Sequence, residues 1–239
     1  MNSFTQAELE PAYILHARAY RETSQLLEVF TAGFGRLGVV ANGARRPKSS
    51  FRGYLNPFQP LRLSWSGRGE LMRLRAVEAT APSAALAGDR VMAGFYANEL
   101  VLRLLHRGDA HADLFAHYTA LISELVHAEE IEHLLRCFEM QLLREIGYAL
   151  DLQSDCVTHR PLEPDRLYQF QIERGLVPVD TGAADAFVYP GAQLQAMARM
   201  DFSSPQTRRS AKQLLRSVLN FHLGGRPLRT REVVTAMKR

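Results

Sequence analysis

Leu61, Leu63 and Trp65 alternate with Arg62, Ser64 and Ser66. That period of two predicts a strand with one buried face. Looser alternation or short β-prone runs occupy residues 12–20, 25–32, 37–42 and 69–80, separated by glycine-rich turns. Five short strands in succession predict a small closed barrel of the OB-fold kind. Residues 79–89 are rich in small side chains and contain Pro82, which predicts a boundary there. Beyond it the period changes. Val91, Phe95, Leu102 and Leu105 recur at helical spacing, and Gly108 is a helix stop. Residues 112–150 predict two helices ending near Gly147, and residues 205–225 an amphipathic helix stopped by Gly224 and Gly225. A last short helix follows from residue 230. Residues 150–190 carry Pro161, Pro164, Pro178 and Pro190 and read as an irregular insertion, with a short hairpin over 166–179. The expected fold class is therefore α+β: a five-stranded OB-fold barrel over 1–80, then a mainly helical domain over 81–239.

Charge sharpens this division. Residues 1–80 hold 11 Lys/Arg against 6 Asp/Glu, residues 81–160 hold 6 against 12, and residues 161–239 hold 12 against 7. Arginine dominates the first third, with Lys48 its only lysine. Arginine grips phosphate with two prongs and stacks on bases, so a basic barrel points to a polyanion. No apolar run approaches the ~18 residues of a membrane span. The first residues lack the basic-then-apolar pattern of a secretory signal. Cys137 and Cys156 are the only cysteines. Two thiols make no disulfide framework, and a reducing cytoplasm is the expected location.

Residues 33–38 spell G-x-G-x-x-G. A dinucleotide loop needs a helix N-terminus directly after it and an acid roughly 20 residues on. Here β-prone Val39 and Val40 follow, then Asn42-Gly43, and no acid stands near Phe58. The glycines read as a hairpin turn. Just beyond lie Arg45, Arg46, Lys48 and Arg52, with Phe51 and Tyr54 among them. Alone, this stretch fits a solvated basic loop as well as a phosphate contact. On an arginine-biased OB barrel, the nucleic-acid reading gains. Arg21 and Arg36 are secondary contacts in that reading. Tyr20, Phe30, Phe34 and Phe58 are stacking candidates, although barrel aromatics are more often core; Trp65 is expected in the core.

Two metal-like spacings are weaker. Glu124/His127 and Glu130/His133 are both E-x-x-H, but on one helix they would occupy diverging faces. Cys156 and His159 have the spacing of half a zinc knuckle, with no second C-x-x-C following. No G-x-S-x-G, P-loop or H-E-x-x-H occurs, so neither an enzyme nor a cofactor is expected.

Several stretches together resemble the bacterial RecO DNA repair family. In the barrel they are residues 22–31 (ETSQLLEVFT), Gly35-Arg36, 39–49 (VVANGARRPKS), 55–61 (LNPFQPL) and 67–71 (GRGEL). Residues 96–100, 138–156, 193–202 and 221–232 continue the likeness in family order. The resemblance implies an N-terminal OB-fold and a helical C-terminal domain. It implies a recombination mediator that binds single- and double-stranded DNA and anneals complementary strands. With a RecR-type partner, such a protein helps load the RecA recombinase on DNA coated by single-stranded DNA-binding protein. It also implies a groove for that coating protein's acidic, apolar tail. By resemblance and residue type the groove candidates are Arg136, Phe138 and Met140, with Arg216 adding charge, though Phe138 has core as its ordinary reading. The location implied is cytoplasmic and nucleoid-associated. Some family members carry two C-x-x-C pairs. Only Cys156 remains near the first, and residues 175–180 (GLVPVD) stand where the second would fall, so no metal is expected. The family's usual lysine is Asn42 here. An RNA-binding OB-fold protein shares the charge and the barrel, and a metal-dependent helical enzyme using Glu124, His127, Glu130 and His133 is a third class. RNA preference without strand annealing distinguishes the first, and elemental content the second.

Overall fold

The computed structural model describes residues 4–179 and 187–237. Five strands make a closed barrel: β1 (Phe4–Tyr20), β2 (Ser24–Thr31), β3 (Gly35–Ala41), β4 (Leu61–Arg68) and β5 (Leu71–Ala79). Their order around the barrel is β1-β2-β3-β5-β4. All pairings are antiparallel except β3 with β5, where Val39 meets Met72 and Val40 meets Arg73. The first half of β1 pairs with β4 and the second half with β2. Serving both neighbours bends the strand, and register shifts lie at Ala7/Glu10 and Ile14/His16.

The alternation read from β4 is observed: Leu61, Leu63 and Trp65 point into the barrel with Ile14, Leu27, Val29, Val39 and Leu74. Each such side chain, fully buried, contributes about 1.5–3 kcal/mol. Phe34 closes over Trp65 edge-on, ring centres 5.3 Å apart. The three glycines of residues 33–38 lie in the β2–β3 turn and on β3, and a strand follows them. Gly35 has a positive φ of 64°, and a Cβ there would sit 1.7 Å from the Asp109 carbonyl oxygen. Only glycine fits this close approach.

The chain divides into two compact units, Met1–Glu129 with Leu228–Arg239, and Glu130–Pro227. The first contains the barrel, α1 (Asp89–Leu104), α2 (Ala112–Leu125) and α6 (Arg229–Met237). Tyr13 and Phe30 face outward from β1 and β2, and Phe115 and Tyr118 of α2 cover them with ring centres 5.1–5.8 Å apart. Asn98 of α1 donates to the Leu15 carbonyl at 2.9 Å and accepts from Tyr118 Oη at 2.6 Å. The buried face of α1 differs from the large-residue spacing: it comprises Ala93, Gly94, Tyr96, Ala97, Asn98, Leu100 and Val101, while Phe95 is exposed. The helix lies so close that a Cβ on Gly94 would meet the Phe58 ring at 2.7 Å. Large side chains do not fit there. Glu99 holds the start of α6, accepting from Arg229 N, Thr230 N and the Thr230 hydroxyl at 2.8–2.9 Å.

The second unit contains α3 (Ile131–Glu145), α4 (Gly191–Ala198), α5 (Pro205–His222) and an antiparallel sheet of order β7-β6-β8. Strands β6 (Leu167–Gln171) and β7 (Gly175–Val179) form the expected hairpin, and β8 (Val188–Pro190) adds to it. Ahead of the sheet, two aspartates organise an irregular loop. Asp151 accepts from Gln153 N, Ser154 N and Ser154 Oγ. Asp155 is buried and accepts from Val157 N, Thr158 N and Thr158 Oγ1 at 2.6–2.9 Å. The Thr158 hydroxyl and amide hold its carboxyl below the usual aspartate range.

The two E-x-x-H spacings do not share one helix. Glu124 and His127 stand at the end of α2 and just past it, Glu130 and His133 at the start of α3, with a turn between. Among the described residues, no three His, Cys, Asp or Glu side chains gather to hold a metal ion. None of the described helices is long and apolar enough to cross a membrane.

Candidate nucleic-acid interface

Residues 42–60 connect β3 to β4 and contain no Asp or Glu. They fold as successive tight turns: Arg46 N bonds to Gly43 O, Ser49 N to Arg46 O, Arg52 N to Ser49 O and Tyr54 N to Phe51 O, at 3.0–3.2 Å. Ala44, Phe51 and Leu55 anchor the turns by packing on the barrel core. Burying these three forces the intervening polar residues outward. Arg45, Arg46, Lys48 and Arg52 are all exposed.

The turns enclose an open cleft of about 550 Å³, lined by Arg45, Arg46 and Arg52 and by Phe51, Leu55 and Gln25 among others. Arg45 ties the cleft to the β1–β2 turn: its amide donates to the Thr23 carbonyl at 2.8 Å and its guanidinium to the Glu22 carbonyl at 3.4 Å. Arg52 is steadied by the Pro47 carbonyl at 3.1 Å. Among the described residues, none of these three arginines nor Lys48 forms an ion pair. Unneutralised guanidinium forks around a cleft with one aromatic wall can take a phosphate and a base together.

Of the expected contacts, Arg45, Arg46 and Arg52 converge on this cleft. Lys48 stands on the same loop outside the lining. Arg21 is exposed in the adjoining turn, its guanidinium 5.2 Å from the Tyr20 ring centre. Arg36 does not join them. It is ion-paired to Glu28 at 3.1 Å, donates to the Leu105 carbonyl at 3.2 Å, and shares Glu28 with Arg107. The reason is register: the outward positions of β2 and β3 set Glu28 beside Arg36, and the chain after α1 brings Arg107. Phe30 and Phe58 are buried in the barrel unit, so neither presents a ring to a base. Gln25 and Leu55 line the cleft without any sequence signal, since the fold of the loop alone puts them there.

The tail-groove candidates lie in the second unit. Arg136, Phe138 and Met140 are on α3, and Arg216 is exposed on α5. Arg136 is only 6% exposed and meets the fully buried Glu139 carboxylate at 2.7 Å, while its Nε has no hydrogen-bond partner among the described residues. Phe138 is 2% exposed and packed in the interior, and Met140 is half-buried.

Comparison with known proteins bears directly on this arrangement. The family described as "Recombination protein O N terminal" matches residues 6–83, and "Recombination protein O C terminal" matches residues 86–232. The chain belongs to the RecO family. Among curated relatives, the DNA repair protein RecO of Nitrosococcus oceani is 43% identical over 231 residues, covering 97% of this chain and 94% of that protein. The protein of the same name from Dechloromonas aromatica is 42% identical, covering 98% and 97%. That from Burkholderia pseudomallei is 44% identical, covering 94% and 82%. The RecO resemblance drawn from residues 22–71 and 96–232 is thereby borne out, as is the α+β class.

Proposed function

We propose that this RecO-family protein is a non-catalytic recombination mediator in DNA repair, acting in the bacterial cytoplasm at the nucleoid. It binds single- and double-stranded DNA and anneals complementary strands. The observation that carries this is the cleft at residues 44–56, where Arg45, Arg46 and Arg52 stand without carboxylate partners beside Phe51. Phosphates displace counterions at such arginines, giving affinity that ignores sequence. A base leaving the stack lies against Phe51, whose other side rests on the barrel core. Annealing requires two polyanions to approach, and the cationic cleft lowers their repulsion. In this reading residues 1–80 are the DNA-binding domain, 81–239 the helical domain, and Lys48 and Arg21 guide the strand at the cleft rim.

The same reading assigns the second unit to protein partners. The acidic, apolar tail of single-stranded DNA-binding protein docks beside Met140, with Arg216 meeting its carboxylates, while Arg136, paired with Glu139 in the interior, holds α3 in place beneath it. Phe138 then acts by packing beneath the groove. A RecR-type partner and loading of RecA complete the role.

The test is annealing of complementary strands precoated with the cognate single-stranded DNA-binding protein. Arg45→Glu with Arg46→Glu is expected to abolish annealing while leaving the circular dichroism and melting curve unchanged. Annealing at the parental rate would remove the cleft from the mechanism. A stronger preference for RNA of the same length would instead favour an RNA-binding role.

A further inference from the structure

OB-folds commonly carry single strands on the face of their second and third strands and on adjoining loops. Here that route is partly closed, because α2 lays Phe115 and Tyr118 over Phe30 of β2. A strand leaving the cleft at residues 44–56 therefore needs another path. The wall beside the cleft offers one. Gln25, which lines the cleft, pairs with Ala41 at the end of β3, and the neighbouring Val40 pairs with Arg73 of β5. Register thus sets Arg73, on the outer face of β5, beside Val40, two residues before the loop that encloses the cleft begins at Asn42.

Arg75 is placed by two devices. The β4–β5 pairing runs Trp65 to Leu74 and then Ser64 to Ala76, which leaves Arg75 as the extra residue of a bulge. Bulges re-aim side chains. Its Nε then donates to Ser66 Oγ at 2.8 Å, and the serine is itself buried. This bond fixes the side chain and leaves its terminal nitrogens to solvent. Neither Arg73 nor Arg75 has an ion pair among the described residues, and both are exposed. The acids of this wall lie elsewhere: Glu78 faces Arg62 across the pairing, and Glu70 is in the β4–β5 turn.

We infer that Arg73 and Arg75 form a second phosphate-binding step, over which a single DNA strand runs on from the cleft along the outer face of β5. This rests on the cleft reading above and extends it from a single point to a track. Short strands fill the cleft alone, and longer ones also engage the wall.

The experiment compares oligothymidylates of about 4 and about 16 nucleotides, the range an OB-fold covers. Binding is followed by fluorescence anisotropy at several salt concentrations for the parent, Arg73→Gln/Arg75→Gln and Arg45→Glu/Arg46→Glu. Glutamine at both wall positions is expected to weaken the longer strand only. Its salt slope falls by about 1.4, at roughly 0.7 for each phosphate that is no longer neutralised. Unchanged binding of the longer strand, or equal weakening of both lengths, overturns the track. The cleft variant separates the two ideas: parental binding of both lengths by that variant overturns the cleft reading, whatever the wall variant does.

Discussion

On the loop from residue 42 to 60 four cations form no ion pair among the described residues, whereas in the second unit Arg136 meets Glu139, Arg208 meets Glu130 and Lys212 meets Glu132. The residue types are the same, and their surroundings are opposite. The loop has no acid in its sequence, and among the described residues folding brings no carboxylate into an ion pair with it. Around α3 and α5, the acids of one helix face the bases of the other. A guanidinium already neutralised in the interior positions structure; one left in water is available to a polyanion. Even within the barrel unit the contrast holds, since Arg36 is committed to Glu28 while Arg45 is not.

The contrast yields a graded set of outcomes. Arg136→Ala removes the cation from a fully buried carboxylate and should cost about 3–5 kcal/mol in urea unfolding. Single-strand affinity of the folded protein should not change. Gly35→Ala forces a Cβ into the Asp109 carbonyl at positive φ and should cost about 2–4 kcal/mol, read as a lowered denaturation midpoint. Acid titration is the third. Asp155 has its folded pKa depressed, so its contribution is fully present above the unfolded value near 3.9 and is lost as pH falls through the folded value. Asp155→Ala should therefore flatten the acid limb of the stability curve below about pH 4. Lys212→Ala breaks an exposed pair and should cost under about 1 kcal/mol, less still in high salt. A large cost there would break the distinction drawn between exposed and buried pairs.

Much of the fold was legible because its signals are local. Leu61, Leu63 and Trp65 alternate where a barrel wall must, and Gly224-Gly225 stop α5 where the pattern ends. The start of β1 was not, because Glu8, Glu10 and Pro11 look unlike a strand. Glu10 and Pro11 are held by pairing with Leu63 and Arg62 of β4, far away in sequence, and Glu8 falls in the register shift before them. The short α4 was missed for a similar reason: eight residues behind Pro190 carry too little period. In the candidate site, the basic loop announced itself by composition. The commitment of Arg36 did not, since its partners come from β2 and from the chain after α1. Nor did the wall arginines, because Arg73 and Arg75 read as the polar face of an ordinary strand until register sets Arg73 beside Val40 and leaves Arg75 in a bulge.

The central claim is that Arg45 and Arg46 hold DNA phosphates. The most direct measurement is the salt dependence of single-strand binding by Arg45→Glu/Arg46→Glu. The account predicts weaker binding with a slope lower by about 1.4, because two phosphates go unneutralised, in a protein of unchanged melting temperature. Parental affinity with the parental slope would contradict it.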